Sequence, residues 1–255
     1  MDVQAMKQHR VPMFPRIDEL VESQFSYFYS PHVGSRGGRK AELIVAAQRA
    51  IAQHGSSVRL NQIADMAGVT SGAVLYHYPA IEDLLVEANR AGMERFYNAR
   101  LAAIEGLGDP AARLRVTITL GVPRDRHDED VRLLCALAGE AARNTVYALL
   151  LTGLFDRQVG MYTTMLEVGS ATGVFDLRQP AETIARNLVA LEDAYGYRIM
   201  AQHPTIDYDT AVELILESAR LATGHPLAAD DRALAAHARH DDPTTTRPDI
   251  EEHGS

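Results

Sequence analysis

Apolar residues recur three and four positions apart along most of the chain, and that period predicts helices. From Arg39 onward, Leu43, Ala47, Ala50 and Ile51 share one face, which stops at Gly55. A second short helix is expected over about 60–67, ending where Gly68 would adopt a left-handed cap. Thr70 then caps a third short helix reaching about Tyr78. Pro79 opens a long fourth helix carrying Ile81, Leu84, Leu85 and Ala88, and the stretch Gly106 to Pro110 breaks it. Residues 115–120 are rich in β-branched side chains, but no partner strand is legible elsewhere, so 111–120 is read as helix. Further helices are expected over 128–143, over 145–169, from Pro180 to before Pro204, and over 207–223. The predicted fold is all-α with about nine helices: a three-helix helix-turn-helix head and a larger helical body. The expected organisation is an irregular extension (1–35), the head (36–85), the body (86–224) and an acidic tail (225–255) that reads as disordered. Within the extension, 17–25 has the spacing of a short amphipathic helix. The aromatic run from Phe25 to Tyr29 after it should dock on the body or on a partner subunit.

Composition narrows the class. The chain has 255 residues, 46% hydrophobic and 23% charged, as soluble globular proteins do. No apolar run approaches the roughly 18 residues a spanning helix needs, so no membrane partner is expected. The first residues lack the apolar stretch of a secretory signal, which predicts a cytoplasmic location. Cys135 sits among Leu134, Ala136 and Leu137 and reads as a buried, inert thiol. None of the ten histidines has metal-ligand spacing with supporting ligands, and neither a phosphate loop nor a nucleophile set is legible. No enzyme activity, cofactor or metal is expected.

Net charge is −9, which alone argues against nucleic acid. The distribution of that charge points the other way. From Arg36 to Pro79 there are five basic residues (Arg36, Arg39, Lys40, Arg49, Arg59) against two acidic ones (Glu42, Asp65), a local +3 that leaves −12 elsewhere. Within this basic window, residues 58–79 form a helix-turn-helix pattern. Ala64 is small enough for the two helices to cross closely, and Val69 plugs the core beneath the Gly68 turn. Ile63, Ala67, Val74 and Tyr78 complete the apolar side. The opposite face of the third helix presents Thr70, Ser71, Gly72, Ala73, Tyr76 and His77. Its small first turn lets the backbone approach DNA, while Tyr76 and His77 can reach phosphates or base edges. Arg59 and Asn61 open the second helix as further DNA candidates. Arg39 and Lys40 belong to a segment, 34–40, read as flexible and basic, suited to the minor groove or the phosphate backbone.

Residues 39–85 resemble the DNA-binding domain of the tetracycline-repressor family of bacterial transcription regulators. The matching signature is Ala46-Ala47, Gly55, Ile63-Ala64, Ala67-Gly68-Val69, Gly72, Leu75-Tyr76-His77-Tyr78 and Glu82-Asp83-Leu84-Leu85. In the body, Ala138 to Arg143 and Leu191 to Tyr195 are similar to the subgroup related to the choline-responsive repressor. The resemblance implies a homodimer on double-stranded operator DNA, whose body binds a small effector. Two positions depart from the family. Ile81 stands where a phosphate-gripping lysine is common, and Arg59-Leu60 replaces the threonine that often opens helix two. These departures and the acidic body leave a rival reading: a helical protein-interaction module that has lost DNA binding.

For the effector, candidates are Glu140, Tyr147, Phe155, Tyr162, Glu192 and Tyr195, since aromatic faces with carboxylates suit an organic cation such as a quaternary amine or polyamine. The alternative is that Phe155, Tyr162 and Leu166 form a core stripe, with Glu192 solvated or paired with Arg186 or Arg198. For a homodimer, apolar faces at helical spacing place Leu188 and Leu191 on one helix and Leu214, Ile215 and Ser218 on the last.

Overall fold

The structure, a computed structural model, describes residues 35–227, with side chains from Gly38 onward. The 17–25 helix, the aromatic run and the tail past Leu227 lie outside the described residues. Among the described residues there are nine α-helices and no strand: α1 (Ser35–His54), α2 (Leu60–Met66), α3 (Ser71–His77), α4 (Ile81–Ile104), α5 (Pro110–Leu120), α6 (Glu129–Ala141), α7 (Thr145–Ala171), α8 (Ala181–Met200) and α9 (Tyr208–Thr223). A 3₁₀ turn, Gly55–Ser57, follows α1.

Local chemistry sets most boundaries. Gly68 has φ +65°, so the turn between α2 and α3 uses the left-handed region open to glycine. Thr70 Oγ1 accepts the Ala73 N–H at 3.2 Å and starts α3. The Arg59 N–H ahead of α2 donates to Gln62 Oε1 at 2.8 Å, so Gln62 covers an amide at the entrance where the family often has threonine. The β-branched run is helical. Pro110 occupies the first turn, and the Asp109 carboxylate accepts from the N–H groups of Ala111 (3.0 Å) and Ala112 (3.1 Å). Burial of Leu114, Thr117 and Ile118 then overrides β propensity.

Three expectations are corrected. Helix α1 begins at Ser35, so 35–40 is helical rather than flexible: each added residue gains a backbone hydrogen bond, which offsets the glycine penalty at 37 and 38. Helix α4 starts at Ile81, with Ala80 and not Pro79 leading in. The packed body also runs past Gly224. Leu227 is 1% exposed, His225 stacks edge-on against Phe175, and Arg220 Nε donates to the Pro226 carbonyl at 2.9 Å.

From Leu43 onward, α1 packs Leu43, Ala47, Ala50 and Ile51 around Ile63 and Ala64 of α2 and Val74 of α3. Leu84 and Ala88 of α4 and Leu133 of α6 complete this head core. Helix α4 continues past the head, with Met93 in a small cluster beside Leu137, Tyr147 and Leu154, and Ile104 in the main body core. That core is built by α5, α7, α8 and α9 around Tyr162, Leu166, Ile184, Leu188 and Ile215. Each such side chain, fully buried, contributes roughly 1.5–3 kcal/mol. Among the described residues no helix is long and apolar enough to cross a membrane, and no group of three or more potential metal ligands occurs.

Candidate nucleic-acid interface and effector cavity

Helix α3 is seven residues long and anchored through one buried side chain, Val74. Its outward side is therefore open: Thr70, Gly72, Ala73 and Tyr76 are exposed, and Ser71 and His77 are half-buried. Tyr76 is 69% exposed, a large aromatic surface left facing solvent. Its ring meets His77 edge-on at 5.1 Å, which orients both polar tips. Arg59 and Asn61 at the start of α2 are exposed, as are Arg39 and Lys40 in α1. Tyr78 faces inward, hydrogen-bonded to Glu87 of α4, which ties α3 to the following helix. Ile81 packs against the head core. Any phosphate there would meet the N-terminal amides of α4, whose entry residue Ala80 offers no side-chain cap.

The body holds a cavity of about 350 Å³ bounded by α4, α6, α7, α8 and the chain after α5. Phe96, Phe155 and Tyr197 supply aromatic surface, Leu134 and Leu151 aliphatic surface, and Gln158, Glu192 and Asp193 the polar groups. Behind the wall lies a buried cluster. Arg100 Nη2 donates to Glu192 Oε1 (2.7 Å), to the Tyr162 hydroxyl (2.9 Å) and to the Thr117 carbonyl (2.9 Å), and Tyr162 O–H donates to Glu192 Oε1. Arg100 and Glu192 are 1% and 2% exposed. Burial pushes the Glu192 carboxyl above the usual range, while Arg100 and Tyr162 pull it back. Burial works most strongly against the Arg100 cation, but Glu192 and Tyr162 together outweigh it and hold the guanidinium protonated. Among the described residues, Oε2 of Glu192 has no hydrogen-bond partner. Gly121 makes room for this carboxylate, because a Cβ there would overlap it. Gly121→Ala is therefore expected to lower stability by about 1–3 kcal/mol in a denaturant titration; an unchanged midpoint would show that the carboxylate moves freely.

Of the sequence candidates for the effector, Phe155 and Glu192 line this cavity. Tyr162 is sealed behind it as a partner of Glu192, as the core-stripe alternative had it. Glu140, Tyr147 and Tyr195 do not line it. Glu140 pairs with Arg143 at 2.7 Å, Tyr147 joins the Met93 cluster, and Tyr195 packs on the body core. Glu192 pairs with Arg100 rather than Arg186, which bonds Glu182, or Arg198. Sequence reasoning misses Gln158, Phe96 and Arg100. The spacing of Phe96, Arg100 and Ile104 by four along an apolar helix face is the available sign that an arginine points inward. Among the dimer candidates, Leu188 and Ile215 are enclosed in the chain's own core and present no surface, because α8 and α9 turn them toward α5 and α7. Leu191 and Ser218 are half-buried, and Leu214 is exposed, as is Leu221.

Residues 43–88 match the sequence pattern of bacterial regulatory proteins of the tetR family. The HTH-type transcriptional regulator BetI of Rhizobium meliloti (strain 1021) is 26% identical over 188 residues, spanning 72% of this chain and 89% of that relative. A putative transcriptional regulator from Saccharomonospora viridis, solved in complex with choline, is similar in structure with a TM-score of 0.66 at 22% identity, over 71% of this chain and 95% of that one. A TetR transcription regulator from Haloarcula marismortui ATCC 43049 gives 0.66 at 24% identity, over 73% and 99%. These structural likenesses speak to the fold.

Proposed function

We propose that this chain is a regulator of the tetR type rather than an enzyme, and that it represses transcription as a cytoplasmic homodimer on a palindromic operator and is released by a small organic cation. The observation that carries the DNA reading is the outward face of α3, with a small-residue first turn and Tyr76 69% exposed, on a helix-turn-helix that matches the family. Each α3 would enter the major groove of one half-site, with the two copies one helical turn, about 34 Å, apart. The N-cap at Thr70 leaves further first-turn amides to meet a phosphate. Arg39, Lys40, Arg59 and Asn61 would grip the backbone, and Leu214 and Leu221 would serve the outward face for a second copy.

The cavity supports the effector reading. Aromatic rings from α4, α7 and α8 and carboxylates from α8 suit an organic cation, and the Saccharomonospora viridis protein was solved in complex with choline. Helix α6 lines the cavity through Leu134, Cys135 and Ala138 and inserts Leu133 into the head core. Occupancy would favour a setting of α6 and α4 in which the two heads no longer match the operator. By reciprocity, operator DNA weakens effector binding by the same factor.

Fluorescence anisotropy with labelled DNA from the flank of its own gene tests the reading. Affinity should fall steeply between about 50 and 200 mM salt, by a factor on the order of 10³ if six phosphates are neutralised. Affinity indifferent to salt would oppose DNA binding and favour the protein-interaction module.

A further inference from the structure

On the reading that an organic cation fills the cavity, the side chains around it determine where its charge must sit. Glu192 is already neutralised by Arg100 within the wall, at 2.7 Å, so the pair offers little net field to a second cation. Asp193, the next residue of α8, lines the same cavity and has no ion pair or hydrogen bond among the described residues. The other titratable groups near it do not cancel its charge. Cys135 of α6 is a neutral thiol, pushed up to about 11 by burial, and the Tyr197 phenol of α8 is raised above its usual value by burial. Arg100 of α4 attracts Asp193 as well as Glu192, but of the two carboxylates it hydrogen-bonds Glu192 alone, so one guanidinium faces two carboxylates, and Tyr162 of α7 stays protonated. One negative charge is left over.

The cavity also presents a hydrogen-bonding side chain. Gln158 of α7 is 5% exposed, lines the cavity and has no partner among the described residues. A ligand without a donor would displace water from its amide oxygen without replacing the hydrogen bond, at roughly 1–3 kcal/mol.

We propose that Asp193 is the counter-ion of the effector, and that the cavity selects a small monocation bearing a hydroxyl or N–H donor for Gln158. Polyamines carry charge that the cavity cannot match. Bare tetraalkylammonium ions lack the donor. The acidic residue identified in the sequence, Glu192, is then held in the wall by Arg100 and Tyr162 while its neighbour carries the electrostatics.

Titration calorimetry on the full chain tests this with four probes: choline, tetramethylammonium, spermidine and dimethylbutanol, the uncharged carbon isostere of choline. Choline should bind about tenfold or more tightly than each of the others. Asp193→Asn should bring choline and its isostere within about twofold of one another, whereas Asp193→Glu should keep the preference. Asp193 makes no hydrogen bond or ion pair among the described residues, so both variants should fold, which thermal melting monitored by circular dichroism checks. Choline affinity of the wild type should fall on acidification, with a midpoint above the ordinary aspartate value, because desolvation by the surrounding walls raises this carboxyl and protonation removes the charge. If Asp193→Asn retains the full choline preference, the counter-ion assignment is overturned while the cation reading stands. Tighter binding of spermidine or tetramethylammonium overturns the selectivity. If the wild type prefers no cation over the isostere, the cation reading fails, and the assignment with it.

Discussion

Arg100→Met should lower the stability of the fold by about 3–5 kcal/mol, the largest effect expected of any single side chain in the body. The guanidinium is 1% exposed and serves Glu192, Tyr162 and the Thr117 carbonyl from one nitrogen. Without it the Glu192 carboxylate is left in the interior with only the Tyr162 hydroxyl, in a site where burial already disfavours its charge. A melting temperature lower by roughly 6–20 °C in differential scanning calorimetry is the expected readout. The double variant Arg100→Met with Glu192→Leu should recover most of the loss, because replacing both charges removes the uncompensated one. A single variant that costs under about 1 kcal/mol would mean that water or another group reaches Glu192, and that the pair is not the sealed wall described above.

The second large effect is on DNA. Tyr76→Ala should reduce operator affinity about tenfold or more, corresponding to about 1–3 kcal/mol for a base-edge or phosphate contact at the reading helix. The side chain is 69% exposed and outside the head core, so the circular dichroism spectrum and the sedimentation behaviour should be unchanged. His77→Ala should act in the same direction and more weakly, since His77 is half-buried and contributes partly by holding the Tyr76 ring edge-on. If both variants bind operator as the wild type does, α3 does not read DNA through these residues.

The head is legible in sequence because its determinants are local. Gly68, Thr70, the Ala64 crossing and the Val74 anchor lie within eleven consecutive positions, and each acts on its immediate neighbours. The start of α1 escapes sequence reasoning for a related reason: two glycines signal flexibility locally, whereas helix propagation from the residues after them decides the outcome. The cavity is only half legible. Its wall joins Arg100 to Tyr162 and Glu192 across 62 and 92 positions of sequence, a pairing that no periodicity reveals. Spacing identifies which residues of α8 and α9 are apolar but not what covers them, so Leu188 and Ile215 read as a subunit face although the chain's own core encloses them. Glu140 and Tyr147 lie off the wall of this cavity on similar grounds, being committed to Arg143 and to the Met93 cluster.

The proposed function stands or falls on whether the exposed face of α3 selects a DNA sequence. The most direct measurement is a fluorescence-anisotropy titration of the full chain against DNA from the flank of its own gene, beside a shuffled duplex of the same length and composition, at one physiological salt concentration. Saturable binding to the flanking DNA, tighter by a factor on the order of 10³ or more than to the shuffled duplex, is the predicted result. Equal affinity for the two duplexes would contradict it.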